Sequence, residues 1–295
     1  MGELIADKYK KWEQLCNERY LLMEKLQNKI NSQFISIYSL QDETQEINIG
    51  QENTIHRADI ENDIKSLISY AVGCMFGRYS LDKEGIVYAG GDFSYDNYKK
   101  FPCDRDNIIP ICDDEYFEDD IVGRFVDFIM VVYGEDTLEE NLAFIASALN
   151  GGGTSREIIR SYFCNSFYSE HLKTYQKTPI YWLFDSGKKN GFKCLIYIHR
   201  YQPDTIARIR TDYVHEQQAR YRTAIEEITK RIESTSGRDK VKLSKKLNAL
   251  KAQDEELHEY EEKIHHLADQ MITIDLDDGV KHNYEIFKDV LAKIK

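Results

Sequence analysis

Apolar positions recur every three or four residues over most of the chain, and the breaks between these runs outline its elements. The first run, from about Glu3 to Leu40, sets Ile5, Trp12, Leu15, Leu22, Leu26 and Ile30 on one face of a long helix. Arg19 is the one polar member, and a break is expected near Asn31. Such a stripe must dock on something to be stable. Gln41 to Glu52 is polar and reads as a loop. Ala58 to Tyr79 carries a broader face (Ile60, Ile64, Leu67, Ile68, Ala71, Val72, Met75, Phe76), which predicts a central helix. Ile86-Val-Tyr88 then reads as a short strand. Ile121 to Tyr133 and Leu138 to Leu149 predict helices, and Asn150-Gly-Gly-Gly153 stops the second. Thr154 or Ser155 caps a further helix, Arg156 to His171.

From Pro179 to Tyr201 the pattern changes. Two apolar, aromatic and β-branched runs flank Asp185-Ser-Gly-Lys-Lys-Asn-Gly191, whose glycines and Asn190 suit the positive φ values of a tight reversal. This β-hairpin is apolar in its body and cationic at its tip. From Asp204 to Met271 the helical pattern returns. Leu243, Leu247, Leu250, Leu257, Ile264, Leu267 and Met271 follow a spacing near 3.5, and Ile206, Ile209, Tyr213, Tyr221, Ala224, Ile228 and Ile232 do so more loosely. Ser234-Thr-Ser-Gly-Arg-Asp239 lies between them as a turn. The pair predicts an antiparallel helical hairpin, each arm about 30 residues and roughly 45 Å long. A strand (Ile272 to Leu276), an Asp277-Asp-Gly279 turn and a helix (Tyr284 to Ile294) close the chain. The fold class is mostly α, α+β in detail. Its expected division is a helical globular domain with the hairpin over 1–203, the arm over 204–271, and a C-terminal strand and helix packing back over 272–295.

Composition narrows the function classes. The 295 residues carry a net charge of −12, which argues against indiscriminate nucleic-acid binding by the whole surface but leaves room for a local basic face. Six scattered cysteines form no Cys-x-x-Cys pair and read as reduced thiols. With no apolar run of membrane-spanning length and a polar N-terminus, no membrane contact is expected and a cytoplasmic location is.

The candidate chemistry is sparse. Gly151-Gly-Gly153 with Thr154-Ser155 imitates a phosphate cradle but lacks the Lys of a P-loop, so a helix stop explains it better. The acidic cluster Asp113 to Asp120 lacks calcium-loop spacing and reads as a solvated helix start. His265 and His266 point about 100° apart on a helix and chelate poorly. His199 with Cys164 or Cys194 has no orienting motif, and both cysteines read as core. No catalytic, cofactor-binding or metal-binding residue is assigned. The basic segment Ser186 to Arg222 differs: eight Lys or Arg against three acids, a net of +5, with Tyr197, Tyr201, Tyr213 and Tyr221 interleaved. Lys188, Lys189, Lys193, Arg200, Arg208 and Arg210 are its candidate DNA contacts. A solvated face pairing with the acidic cluster is the equal alternative.

Several blocks resemble one family. Ile64-Lys-Ser-Leu-Ile-Ser-Tyr-Ala-Val-Gly-Cys-Met-Phe-Gly-Arg-Tyr-Ser-Leu-Asp82 is similar to a signature of the large adenine-specific DNA methyltransferases of the bacteriophage-exclusion (BREX) system, the PglX type. Pro179-Ile-Tyr-Trp-Leu-Phe184, Tyr197-Ile-His-Arg200, Arg208-Ile-Arg-Thr-Asp-Tyr213, Ile37-Tyr-Ser-Leu-Gln-Asp-Glu43 and Leu276-Asp-Asp-Gly-Val280 resemble the same enzymes and related restriction–modification methyltransferases. The match is to the C-terminal region. The Asn-Pro-Pro-Tyr and S-adenosylmethionine motifs have no counterpart in this chain, which contains no Pro-Pro pair. The resemblance therefore implies a non-catalytic part that faces double-stranded DNA or braces the catalytic and target-recognition domains, with S-adenosylmethionine expected only for the parent enzyme. The rival expectation is a docking module for other defence-system proteins, without DNA contact.

Overall fold

The computed structural model describes residues 2–39 and 55–294, so the loop expected from Gln41 to Glu52 lies outside the described residues. Helix α1 (Ile5–Tyr38) is unbroken through Asn31. No Gly or Pro stands nearby, and one Asn costs a helix only a few tenths of a kcal/mol, about half that of Gly. Its first turn is pinned: the Ile5 amide donates to Asn141 Oδ1 at 2.8 Å and the Glu3 amide to the Tyr133 carbonyl at 2.7 Å.

Helix α2 (Ile60–Met75) starts on the Asp59 cap and crosses the core, burying Ile64, Ile68, Ala71, Val72 and Met75. Strand β1 (Ile109–Pro110) comes next. The expected strand Ile86–Tyr88 does not form; its amides meet the Arg78 carbonyl in a turn, the Tyr88 carbonyl takes the Tyr197 hydroxyl, and Ile86 is exposed. Helices α3 (Ile121–Tyr133), α4 (Leu138–Leu149) and α5 (Ser155–Tyr162) pack around α2, and α5 runs through a π-helical stretch (Phe163–Phe167) into α6 (Tyr168–Thr174).

Strands β2 (Tyr181–Asp185) and β3 (Lys193–Tyr197) form the hairpin, in register Tyr181↔Tyr197, Leu183↔Leu195 and Asp185↔Lys193. Strand β1 joins the other edge of β3, giving the order β1-β3-β2. The sheet is a partition. Tyr181, Leu183, Leu195 and Tyr197 face the core of α2 to α6, while Trp182, Phe184, Cys194 and Ile196 face a second core. Burial on both faces explains why these strands read as continuous apolar runs and not as alternation.

The second core belongs to the arm. Helix α7 (Thr205–Arg208), a π-helical stretch (Ile209–Val214) and α8 (His215–Glu233) form one limb, and α9 (Gly237–Ala268) returns antiparallel to it. Ile206, Ile209, Tyr213, Tyr221 and Ile228 meet Leu250, Leu257, Tyr260, Ile264 and Ala268 against the sheet. The lower half of the arm thus shares a core with the hairpin. Toward the tip, between residues 229 and 249, only Ile232, Thr235, Leu243, Ser244 and Leu247 are even partly buried.

The tail departs from expectation. Ile272 to Leu276 joins no ladder, and helix α10 is Val280–Phe287, earlier than predicted. The cause is the free edge of β2, which needs partners. The Asp185 amide donates to the Val290 carbonyl at 3.1 Å and the Ala292 amide to the Leu183 carbonyl at 2.8 Å. Leu291 forms a β-bridge to Phe184 there, so the helix ends before it. Among the described residues no helix is long and apolar enough to cross a membrane.

Candidate DNA interface

The hairpin turn is seated on the arm and does not project from it. Asp185 Oδ1 accepts the Gly187 amide at 3.0 Å, and Asn190 takes φ 57°. The rest of the turn converges on the Glu256 carboxylate of α9. Ser186 Oγ donates to Oε1 at 2.8 Å, the Gly191 amide to Oε1 at 3.0 Å, and the Lys189 amide to Oε2 at 2.8 Å. Only glycine fits at 191, because a Cβ there would lie 2.7 Å from the Gln253 carbonyl oxygen. The Lys188 and Lys189 side chains remain exposed.

Lys193 and Arg200 are not surface cations, which corrects the expectation drawn from their positions in the sequence. Lys193 is buried on β3 and its Nζ donates to the Cys164 carbonyl at 3.1 Å. Arg200 is buried as well. Its guanidinium donates to the carbonyls of Phe76 and Arg105, both at 3.2 Å, and lies 4.3 Å above the Phe93 ring. Both tie separate segments together. Arg210 donates to Glu261 Oε1 at 2.6 Å, and His215 lies 3.3 Å from the same oxygen. Burial pushes the Glu261 carboxyl up, but the hydrogen bonds from Arg210 and His215 outweigh it and hold the group below its ordinary value. Arg208, half-exposed, stands 3.8 Å from Asp106 and 4.0 Å from Asp212.

The acidic segment stays mostly solvated, as expected, with Asp113, Asp114, Glu115 and Glu118 exposed, but Asp119 and Asp120 turn inward. Asp120 caps α3 and takes both Arg160 nitrogens at 2.8 Å. Asp113 accepts from Gln253 at 2.8 Å. Asp119 joins Asp104 and Asp106, with oxygens within 4.8 Å of one another. The Tyr213 hydroxyl sits between two of them, 2.8 Å from Asp106 and 2.7 Å from Asp119. One phenol proton cannot satisfy both carboxylates at once, and Arg208 stands 3.8 Å from the Asp106 oxygen that the phenol meets. Burial, then the Asp106 carboxyl, pushes Asp104 up to about 8, and burial raises Asp119 as well.

The other candidates are structural. The Glu157 carboxylate takes the Thr154 amide at 2.7 Å and completes a capping box, so the glycine run leads into a capped helix start. Burial pushes the Cys164 thiol up to about 11 and Cys194 further, which removes the thiolate a nucleophile needs.

The largest group of unpaired cations lies elsewhere. Residues 229 to 251, around the arm tip, hold Lys230, Arg231, Arg238, Lys240, Lys242, Lys245, Lys246 and Lys251 against Glu233 and Asp239, a net of +6. All eight are exposed, and among the described residues none takes part in an ion pair. The signal was present in the sequence as local composition.

Two curated proteins are similar to most of the chain. The adenine-specific methyltransferase BrxX of Escherichia coli O9:H4 (strain HS) is 44% identical over an alignment of 254 residues that covers 81% of this chain and 21% of that protein. The adenine-specific methyltransferase PglX of Lacticaseibacillus casei (strain Zhang) is 41% identical over 281 residues, 94% of this chain and 23% of that protein. The chain thus spans under a quarter of the length of the curated relatives it matches. No protein-family model matches it. The resemblance of the separate blocks and the identity across their whole span agree: this chain matches a C-terminal region of the BREX adenine-specific methyltransferases of the PglX/BrxX type.

Proposed function

We propose that the chain is the non-catalytic, DNA-facing C-terminal part of an adenine N6 DNA methyltransferase that serves bacteriophage defence. One observation carries the reading: 41% to 44% identity to adenine-specific methyltransferases over 81% to 94% of the chain. Methyl transfer to an amine needs a gripping loop and a cofactor pocket. Without a Pro-Pro pair or a glycine-rich strand end, the chain leaves S-adenosylmethionine and the reacting groups to the rest of the parent. On this reading double-stranded DNA is the substrate of the parent, and its catalytic and target-recognition domains are the neighbours of this chain. Lys188, Lys189 and Arg208 are the candidate cations of the sequence that keep exposed charge for phosphate.

A bracing role alongside is favoured by α1. Leu22, Leu26, Ile30, Phe34 and Ile37 are each at least half exposed along one helix, more apolar surface than a solvated helix usually shows. The rest of the methyltransferase polypeptide is the occupant that its relatives supply, since over three quarters of their length lies outside the match.

The test is duplex affinity of this chain at three salt concentrations, with calorimetric titration of S-adenosylmethionine. Affinity that falls steeply with salt, and no cofactor heat, is the expected outcome. Absence of duplex binding at the lowest salt refutes the DNA-facing role and leaves protein docking. Micromolar cofactor binding refutes the non-catalytic assignment.

A further inference from the structure

The arm is polarised along its length. Within α9, residues 252 to 262 hold Asp254, Glu255, Glu256, Glu259, Glu261 and Glu262 and no Lys or Arg, while residues 238 to 251 hold six Lys or Arg and one acid. Two acids of the acidic half are used internally: Glu256 seats the hairpin turn and Glu261 holds Arg210, while Glu255, Glu259 and Glu262 are exposed. The basic half has no such partner among the described residues. From the last fully buried layer at Leu250 to Arg238 the helix rises roughly 18 Å, so these cations stand clear of both cores.

Their arrangement is directional. Arg238, Lys242, Lys245 and Lys246 fall within an arc of about 100° on α9, over roughly 12 Å of helix. That arc lies to one side of the Leu243–Leu247 seam that holds the two helices together. Like charges this close repel one another and weaken the helix, so packing does not account for them. A dense linear polyanion does: duplex DNA presents one charge per ~1.7 Å of axis. The segment from 229 to 251 contains no aromatic residue, hence no platform for stacking bases. Its chemistry suits phosphate and not sequence.

We infer that the tip of the arm, through Arg238, Lys242, Lys245 and Lys246, clamps the phosphate backbone of duplex DNA without reading bases. The inference rests on the DNA-facing role proposed above and moves its main contact from the hairpin turn to the arm tip. Phosphate contacts of this kind fix the register of a protein on the duplex and leave sequence choice to other segments.

The experiment uses the 295-residue chain, a random-sequence duplex and a poly-glutamate of matched length. The variant carries Arg238→Gln, Lys242→Gln, Lys245→Gln and Lys246→Gln. Gln is close to Lys and Arg in helix propensity, and the sites are exposed, so circular dichroism and melting should match the parent chain. A control removes the same number of charges from exposed positions of α1, through Lys10→Gln, Lys11→Gln, Lys25→Gln and Lys29→Gln. Each phosphate that is no longer neutralised should flatten the slope of log affinity against log salt by about 0.9, hence by about 3.6 for all four tip cations. The expected result is that flattening in the tip variant alone, equal for unrelated duplex sequences. If duplex binding persists and both variants alter it equally, or neither does, the clamp is overturned while the DNA-facing role stands. If the parent chain binds no duplex at low salt, both fall. If poly-glutamate binds as tightly as the duplex, the tip is a general acid-binding face and the assignment to DNA is overturned.

Discussion

Removing Glu256 should unseat the hairpin turn. Its carboxylate accepts three bonds at once, from Ser186 Oγ, the Gly191 amide and the Lys189 amide. Glu256→Ala leaves those three donors without their acceptor. Gly191 is buried and Ser186 half-buried, so two of the donors cannot simply turn to water. Each costs about 1–1.5 kcal/mol, the lower part of the range for a donor left unmatched. Lys189 is exposed and its amide finds solvent, which adds little. The total is about 2–3 kcal/mol. At roughly 2 °C per kcal/mol for a chain of this size, the midpoint should fall by about 4–6 °C. The loss should also be local. Amide exchange at Gly187, Lys189 and Gly191 should rise well before that of Leu195 in the centre of the sheet. Glu255→Gln, one residue away and exposed, is the control and should change neither quantity. If Glu256→Ala melts with the parent chain and Gly191 exchanges at the same rate, the turn is held by its own backbone and the seating is incidental.

Two further outcomes separate internal from external charge. Lys193→Glu sets a carboxylate against the Cys164 carbonyl and opposite Asp185 on the partner strand, so urea denaturation should show a loss of roughly 3–5 kcal/mol, while Lys188→Glu should stay within about 0.5 kcal/mol of the parent; equal midpoints would refute the burial of Lys193. Asp104 titrates at about 8 in the fold against an ordinary 3.8, so the fold holds its proton more tightly than the unfolded chain does. The stability this lends is complete below about 4 and is lost as pH rises to about 8, by at most ~1.4 kcal/mol per pH unit. Asp104→Asn keeps the Oδ1 acceptor for the amides of Asn107 and Ile108 and abolishes that slope, so the stability difference between variant and parent should widen in favour of the variant from pH 5 to pH 8. A difference that is flat with pH would show that Asp104 is ionised in the fold.

Where the cause of an element is local, the sequence displays it. Asn190 and the glycines of the turn, the Thr154–Glu157 capping box and the bounds Leu138–Leu149 all depend on neighbours within a few positions. The mostly helical, α+β character follows from the same periodicities. The end of α10 is not local, since it is set by the free edge of β2 a hundred residues earlier. Nor is the fate of Lys193 and Arg200. Their partners Cys164, Phe76 and Arg105 are brought to them only by the fold.

The basic segment Ser186 to Arg222 shows the physical reason most clearly. Interleaved tyrosines make it look like a surface for nucleic acid, because aromatic rings can stack on bases. Yet Tyr197, Tyr201, Tyr213 and Tyr221 are all buried, Tyr221 with its hydroxyl on the Gly191 carbonyl and Tyr201 with its own on that of Ile272. Aromatics at helix or strand spacing mark the face that enters the core. A cation beside them is therefore drawn to the rim of that core, where a carboxylate or carbonyl is at hand: Arg210 finds Glu261, Arg200 finds Phe76 and Lys193 finds Cys164. From residue 229 to 249 the aromatics stop, the seam thins to Ile232, Leu243 and Leu247, and among the described residues the cations have no ion-pair partner. In an amphipathic arm of net negative parentage, free positive charge gathers where burial ends. A search for a phosphate-binding face should therefore follow the loss of aromatic residues along the arm and not their presence.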